Sequence, residues 1–431
     1  MGLASFCNNW LVHNGLSGRE IVVVGVNFAP EHTGIAPYTT QACKHLASLG
    51  AHVSVLSGVP HYPNWSVPSA YRRKIRTIEQ HDDVTVHRLW HTVPQRQSAR
   101  SRATYELTFG AHVLVAGGSA RPNVVLAVVP SLAGAAAAAR IAQRSKAPFV
   151  VWVQDLMGPA ASQSGIAGGG RIARATAALE NWVLRQASDV VVVSAAFRQY
   201  VSAAGVPDKR IQLVPNWTHV RNSEQNRAHV RQRLGWAEDE VVALHSGNMG
   251  LKQGLENIVE AARRAEHPVR LVLMGDGNQR STLEALGRNV HRLQFLPPAE
   301  PGDFPAVLGA ADVLLLNERA SAVDMSLPSK LTSYLSVGVP VVAAVPADGG
   351  TAAEVRRSGG GVLVAPEDPT ALLDAIERLG SDPERRAALG IAGATHAREH
   401  LTADASLTAL TDILVAAGRR RPGEHCAAAS N

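Results

Sequence analysis

A chain of 431 residues exceeds the size at which one hydrophobic core stops growing, so two domains are the expectation. Hydrophobic residues at 46% and charged residues at 18% exclude a disordered chain, and a net charge of +6 is modest for this length. Cys7, Cys43 and Cys426 are far apart and lack C-x-x-C spacing, which speaks against a thiol metal or redox site and for a reducing compartment.

Taken from the amino terminus, residues 1–19 have neither a basic n-region nor an unbroken apolar stretch and read as a loose extension. Strand-like and helix-like segments then alternate over 20–217. Short β-branched runs at Ile21–Val26, His52–Ser57, Val84–Trp90, Val124–Val129, Phe149–Val153, Val190–Val193 and Ile211–Val214 have the composition of buried parallel strands. Helical segments fall between them at Tyr38–Leu49, Tyr105–Ala116, Leu132–Gln143, Arg171–Arg185 and Ala195–Ala204. The longest apolar run, Val124–Ala139, is broken by Pro130 and Gly134 and is too short to span a bilayer. Between Arg72 and Arg102 eight cations face three acids, Glu79, Asp82 and Asp83. Such a patch attracts nucleic acid, anionic lipid or a phosphorylated substrate, and a plain solvated face is the alternative.

A polar stretch at 218–240, structureless residues followed by a short helix, reads as the linker, and a second βαβ series over 241–405 follows it. Its strands are expected at Val241–His245, Val269–Met274, His291–Phe295, Val313–Leu316, Val339–Ala344 and Gly361–Val364. Residues 406–431 form a terminal helix and tail. The expected architecture is α/β, with two Rossmann-like doubly wound domains whose strand ends face each other across a cleft.

Four loops carry chemistry. After the first strand, Gly34 precedes a helix; it stands nine positions from Gly25, which is not the spacing of a dinucleotide fingerprint, yet it permits backbone approach to a phosphate. After the first strand of the second series, His245-Ser-Gly-Asn-Met-Gly-Leu-Lys gathers Gly247, Asn248 and Lys252 where a diphosphate can lie. Met274-Gly-Asp-Gly-Asn-Gln-Arg is again strand, tight turn and helix, placing Gly275 and Arg280 nearby; a surface role for Arg280 is the alternative. Finally, Pro328-Ser-Lys opens a helix ended by Gly338 and Pro340, so Ser329, Lys330 and the first free N–H groups, including that of Leu331, point at one anion. A helix cap with a solvated lysine is the competing reading.

Ser246 to Gly254, Gly275 to Arg280, Phe295 to Leu316 and Pro328 to Pro340, together with APEHTGIAPYTTQ and VVWVQDLMGP in the first half, resemble the glycosyltransferases of family 4 in order and spacing. The likeness spans about residues 20 to 400 and is strongest to the branch that builds colanic acid, other exopolysaccharides and O-antigens, which includes fucosyl and N-acetylfucosaminyl transferases. The resemblance implies a GT-B fold and retaining, metal-independent, hexosyl-type transfer from a UDP- or GDP-sugar. No cofactor is implied. Gly34 would face the donor phosphates from the amino-terminal side, Lys252 would match the family's diphosphate lysine, and Asn248 stands where many members carry arginine. Ser329 and Lys330 would bind phosphate, and Asp155 stands close to the usual catalytic histidine.

The family's Glu-x7-Glu motif departs here: Ser333 takes the place of the second carboxylate and Met325 stands eight positions before it, leaving Asp324 and Glu318 as nearby acids. The acceptor, a glycan or polyprenyl diphosphate-linked sugar, is expected beside His61, Tyr62 and Trp65, for which loop packing is the alternative. Nucleic acid is not an expected partner. A cytoplasmic enzyme with peripheral contact at the inner face of the plasma membrane follows from this reading. Two rivals share the fold, a sugar nucleotide epimerase and a non-catalytic sugar nucleotide-binding protein.

Overall fold

The computed structural model describes residues 15–32, 34–62, 65–95, 98–117, 121–158, 169–220, 225–300, 302–321 and 329–420. The chain divides into two compact units, residues 1–215 with 406–431, and residues 216–405.

The first unit is built on β1 (Glu20–Val24), β2 (His52–Gly58), β3 (Arg76–His81), β4 (Val84–Leu89), β5 (Val124–Val129), β6 (Phe149–Val153), β7 (Asp189–Val192) and β8 (Ile211–Leu213), in the order β3-β4-β2-β1-β5-β6-β7-β8. All neighbours run parallel except β3, which pairs antiparallel with β4. Every residue of β5 and β6 is buried, which is why these strands read as unbroken apolar runs and not as alternating ones. From β1 the chain passes to β2 on one side, whereas β5 lies on the other, so the crevice at the carboxyl ends of β1 and β5 is a topological switch point.

The second unit carries β9 (Val241–Ser246), β10 (Val269–Met274), β11 (Leu293–Leu296), β12 (Val313–Asn317), β13 (Val341–Ala344) and β14 (Gly361–Val364), in the wholly parallel order β11-β10-β9-β12-β13-β14. Here the switch point lies between β9 and β12. Apolar layers cover both sheet faces, one including Leu244, Leu314, Leu331 and Tyr334, the other Leu271, Leu315, Ile258 and Leu372.

The structure refines three sequence expectations at this level. The 218–240 stretch carries its short helix at Arg227–Leu234, and Val230, Arg231 and Trp236 are buried in the second unit. There the Arg231 guanidinium donates to the Ala310, Ala237 and Glu240 carbonyls and pairs with Asp312 at 3.0 Å. Within residues 1–19, Leu16 is buried and the Gly18 N–H donates to Gly50, so the last part of that segment belongs to the first unit. The terminal helix Ala403–Arg419 also joins the first unit, burying Leu407, Leu410 and Leu414, with Arg420 bonded to both oxygens of Asp189 at 2.7 Å.

Candidate functional site

In the second unit the two glycine loops lie backbone against backbone. The Gly247 N–H donates to Met274, the Met249 N–H to Asp276 and the Gln279 N–H to Met249. Gly275 has φ +141° and Gly277 φ +156°, and a Cβ at either would collide with the neighbouring loop's carbonyls, those of Gly247 and Met249. Glycine is therefore required for the loops to meet. Arg280 braces the same turn, donating to the carbonyls of Gly275 and Leu296 and pairing with Glu284 at 2.8 Å.

The helix Ser329–Ser336 follows β12 and brings Lys330 to this turn. Lys330 lies beside Gly247, with Nζ 3.8 Å from the position a Cβ would occupy there. Its Nζ is 3.3 Å from His245 Nε2. His245 is fully buried at the end of β9, and burial, together with the Lys330 cation, holds its imidazole well below the usual range. It is neutral: Nδ1–H donates to the Leu315 carbonyl at 3.2 Å, which leaves Nε2 to accept from the Lys330 ammonium. Burial lowers Lys330 to about 8, and the Glu318 carboxylate opposes that shift.

One turn beyond Lys330, Tyr334 fixes the helix to the sheet. Its hydroxyl accepts from the Ser246 N–H at 2.8 Å and lies 3.1 Å from the Ser246 hydroxyl. Asn317, at the end of β12, donates to the carbonyls of Gln253 and Gly254 and accepts from Asn257, so it holds the turn Leu251–Gln253 in place. Lys252 is exposed on that turn, and its carbonyl accepts from the Arg319 N–H. Gly247 and Asn248 are exposed. Ser329 opens the helix. The Leu331 side chain is buried in the core, which leaves only its backbone to serve a ligand. Asp324 lies outside the described residues, as do Met325 and Pro328.

The first unit has its own concavity at its switch point, a cavity of about 180 Å³ lined by Asn27, Gly34, His61, Tyr62, Trp65, Arg102, Tyr105, Glu106 and Asp155, among others. Glu31 organises it. One carboxylate oxygen accepts from the backbone N–H groups of His61 and Tyr62, both at 2.8 Å, and the other accepts from Asn27. Gly34 has φ +64°, and a Cβ there would approach the Tyr62 ring to 3.2 Å.

His61 is buried and its pKa lowered by burial, with Nδ1 2.9 Å from the Val59 carbonyl and Nε2 3.2 Å from the Tyr105 hydroxyl. Its ring meets those of Trp65, His91 and Tyr105 edge-on. The Arg102 guanidinium lies over Trp65 and Tyr105 at 6.0 and 5.3 Å. Glu106 accepts from the Ser131 hydroxyl and the Ala133 N–H at the start of the helix Leu132–Ser145, and burial raises its carboxyl pKa. Asp155 stands at the end of β6 and acts on the neighbouring Tyr62, whose pKa burial and then that carboxylate raise.

Each unit thus gathers expected residues at one switch point: Gly247, Asn248, Gly275 and Lys330 in the second, and Gly34, His61, Tyr62, Trp65 and Asp155 in the first. Sequence reasoning missed Glu31, Arg102, Tyr105, Glu106, His245, Asn317 and Tyr334. A histidine closing an apolar strand, and a tyrosine four residues after the helix-opening lysine, were the available signals for His245 and Tyr334.

Residues 33–217 match the Glycosyl transferase 4-like domain and residues 226–396 match Glycosyl transferases group 1. The chain is 32% identical over 337 residues to the putative colanic acid biosynthesis glycosyl transferase WcaI of Escherichia coli (strain K12), across 74% of this chain and 81% of that protein. In structure it is similar to the sucrose-phosphate synthase of Thermosynechococcus elongatus, with a TM-score of 0.71, 18% identity and coverage of 92% of this chain and 98% of that one. It is likewise similar to HepE of Anabaena in complex with UDP-glucose, with a TM-score of 0.66, 19% identity and coverage of 92% and 98%. At such identities the solved structures speak for the fold alone. The chain belongs to family 4 of the glycosyltransferases and has the GT-B fold of two Rossmann-like domains.

Proposed function

We propose that this enzyme moves a sugar, with retention of its anomeric configuration, from a nucleoside diphosphate to a glycan or polyprenyl diphosphate-linked acceptor in cell-surface polysaccharide biosynthesis. The observation that carries the reading is the Lys330 ammonium, held by neutral His245 beside the paired glycine loops. As the glycosidic bond breaks, negative charge grows on the leaving diphosphate. Lys330, Lys252 and the amino termini of the helices Ser329–Ser336 and Glu256–Arg264 supply fixed positive potential for it. That potential takes the part a divalent cation plays elsewhere, so the transfer is proposed to be metal-independent.

HepE was solved with UDP-glucose and WcaI is named for colanic acid biosynthesis, which supports a nucleotide-sugar donor and a polysaccharide context. The aromatic cavity of the first unit suits an acceptor sugar ring, with His61, Tyr62 and Trp65 against its faces and Asp155 as the polar group at the reacting hydroxyl. The lipid-linked acceptor places the enzyme in the cytoplasm, peripheral to the inner face of the plasma membrane.

The test is a donor panel read by mass spectrometry, with and without lipid-linked acceptor, beginning with UDP-N-acetylfucosamine and GDP-fucose. Transfer that requires acceptor is expected. Product without acceptor would favour an epimerase or hydrolase, and silence with every donor would leave a binding protein. Lys330→Ala is expected to lower turnover by roughly 10²-fold or more, and an unchanged rate would remove Lys330 from the reaction.

A further inference from the structure

The helix Ala99–Ala116 and the β3 edge present apolar side chains to solvent. Val115 is 82% exposed, Ile75 71%, Leu107 68%, Ile78 59% and Trp90 37%. On the helix, Ala103, Leu107, Ala111 and Val115 recur every fourth position and are all exposed, while Tyr105, Phe109 and Val113 face the core. A surface helix ordinarily turns polar residues outward, and this one turns leucine and valine.

The remaining members adjoin that stripe. The Trp90 ring lies 5.7 Å from His112 of the same helix, and the Trp90 N–H donates to the Ile75 carbonyl at 2.9 Å. Ile78 sits opposite His87 across β3 and β4, and the Arg76 guanidinium reaches His87 Nδ1 at 2.6 Å. Cations border the strip. Arg72, Arg73, Lys74 and Arg76 are exposed around Ile75, and Arg100 is exposed in the first turn of the helix. Of the neighbouring acids, Glu79 and Asp82 are paired with Arg88 and Lys44 at 3.0 and 2.8 Å, and Asp83 is exposed.

We propose that this strip is a docking surface for an anionic lipid bilayer. The apolar side chains enter the boundary between headgroups and acyl chains, and the arginines and lysine meet lipid phosphates. An apolar stripe bordered by cations has the polarity of an interfacial helix, whereas a protein partner would have to supply an acidic and an apolar face together. The inference rests on the lipid-linked acceptor reading and names its surface: docking holds at the membrane the first unit, whose aromatic cavity lies behind this helix, lined by Arg102, Tyr105 and Glu106.

Co-sedimentation of the full chain with vesicles of phosphatidylcholine alone, and of phosphatidylcholine with phosphatidylglycerol, tests it. Binding is expected to the anionic vesicles and to weaken with added salt. Combined Arg72→Glu, Arg73→Glu and Lys74→Glu should weaken partitioning by roughly 10²-fold or more. Combined Leu107→Ser and Val115→Ser should weaken it by roughly tenfold. Both variants should retain their thermal melt and UDP binding, because the altered side chains are exposed and lie on the first unit.

Equal binding to both vesicle types, variants that partition like the parent, or dimerisation lost in the Leu107 and Val115 variant would each overturn the proposal. Transfer to a lipid-linked acceptor in detergent by a protein that ignores vesicles would overturn docking and leave the transferase reading standing. Vesicle binding with no transfer from any donor would support docking and count against that reading.

Discussion

Lys330 and His245 form the most consequential side-chain pair. Burial holds the lysine at about 8 instead of 10.5, so its ammonium is charged at neutral pH yet close to losing its proton. A diphosphate needs the charged form. Affinity for UDP, measured by titration calorimetry, is therefore expected to fall as pH rises through about 8, with proton uptake on binding near that pH because the bound anion restores the lysine's basicity. Stability moves the other way. The cost of burying the cation is present below about 8 and is relieved between 8 and 10.5, where the folded lysine has lost a proton that the unfolded chain still holds. Lys330→Arg, which cannot deprotonate in this range, should abolish the step in affinity, and a step that persisted would assign it to another group.

Among the elements, the two glycine turns act as one platform. Gly275→Ala drives a methyl group into the Gly247 carbonyl and forces an alanine toward φ +141°, so the loops must separate. A loss of about 1–3 kcal/mol in unfolding free energy, with weaker UDP binding, is expected from denaturant titration and calorimetry. These turns were legible in the sequence because glycine and Asp-Gly are local signals. The β3 edge was not. Its alternation, exposed at Arg76, Ile78 and Gln80, mixes charged and apolar residues, and only pairing with β4 makes it a strand. The helix of residues 99–116 was expected from Tyr105 onward. Its first turn is fixed instead by the reciprocal cap between Ser98 and Ser101, where Ser101 takes the place of the usual glutamate or glutamine.

At the scale of the molecule, the chain returns to its first unit at the carboxyl end. Arg420 closes that return on Asp189, a carboxylate buried at the start of β7, and Ser406 donates to the Pro215 carbonyl. Arg420→Ala leaves the buried acid without this cation. Because the arginine is about one-third exposed, the expected cost is about 1–3 kcal/mol, less than for a fully buried pair. Scanning calorimetry should show it as a lower melting temperature for the first unit, with UDP binding by the second unchanged. The sequence alone determined the βαβ alternation and the glycine and lysine loops, because hydrophobic periodicity, turn chemistry and helix entry are properties of neighbouring residues. Only the tertiary structure decided that His245 meets Lys330 across 85 positions, that Glu31 orders the loop of His61, and that Leu331 serves the core, because such contacts depend on which strand ends the sheet order brings together.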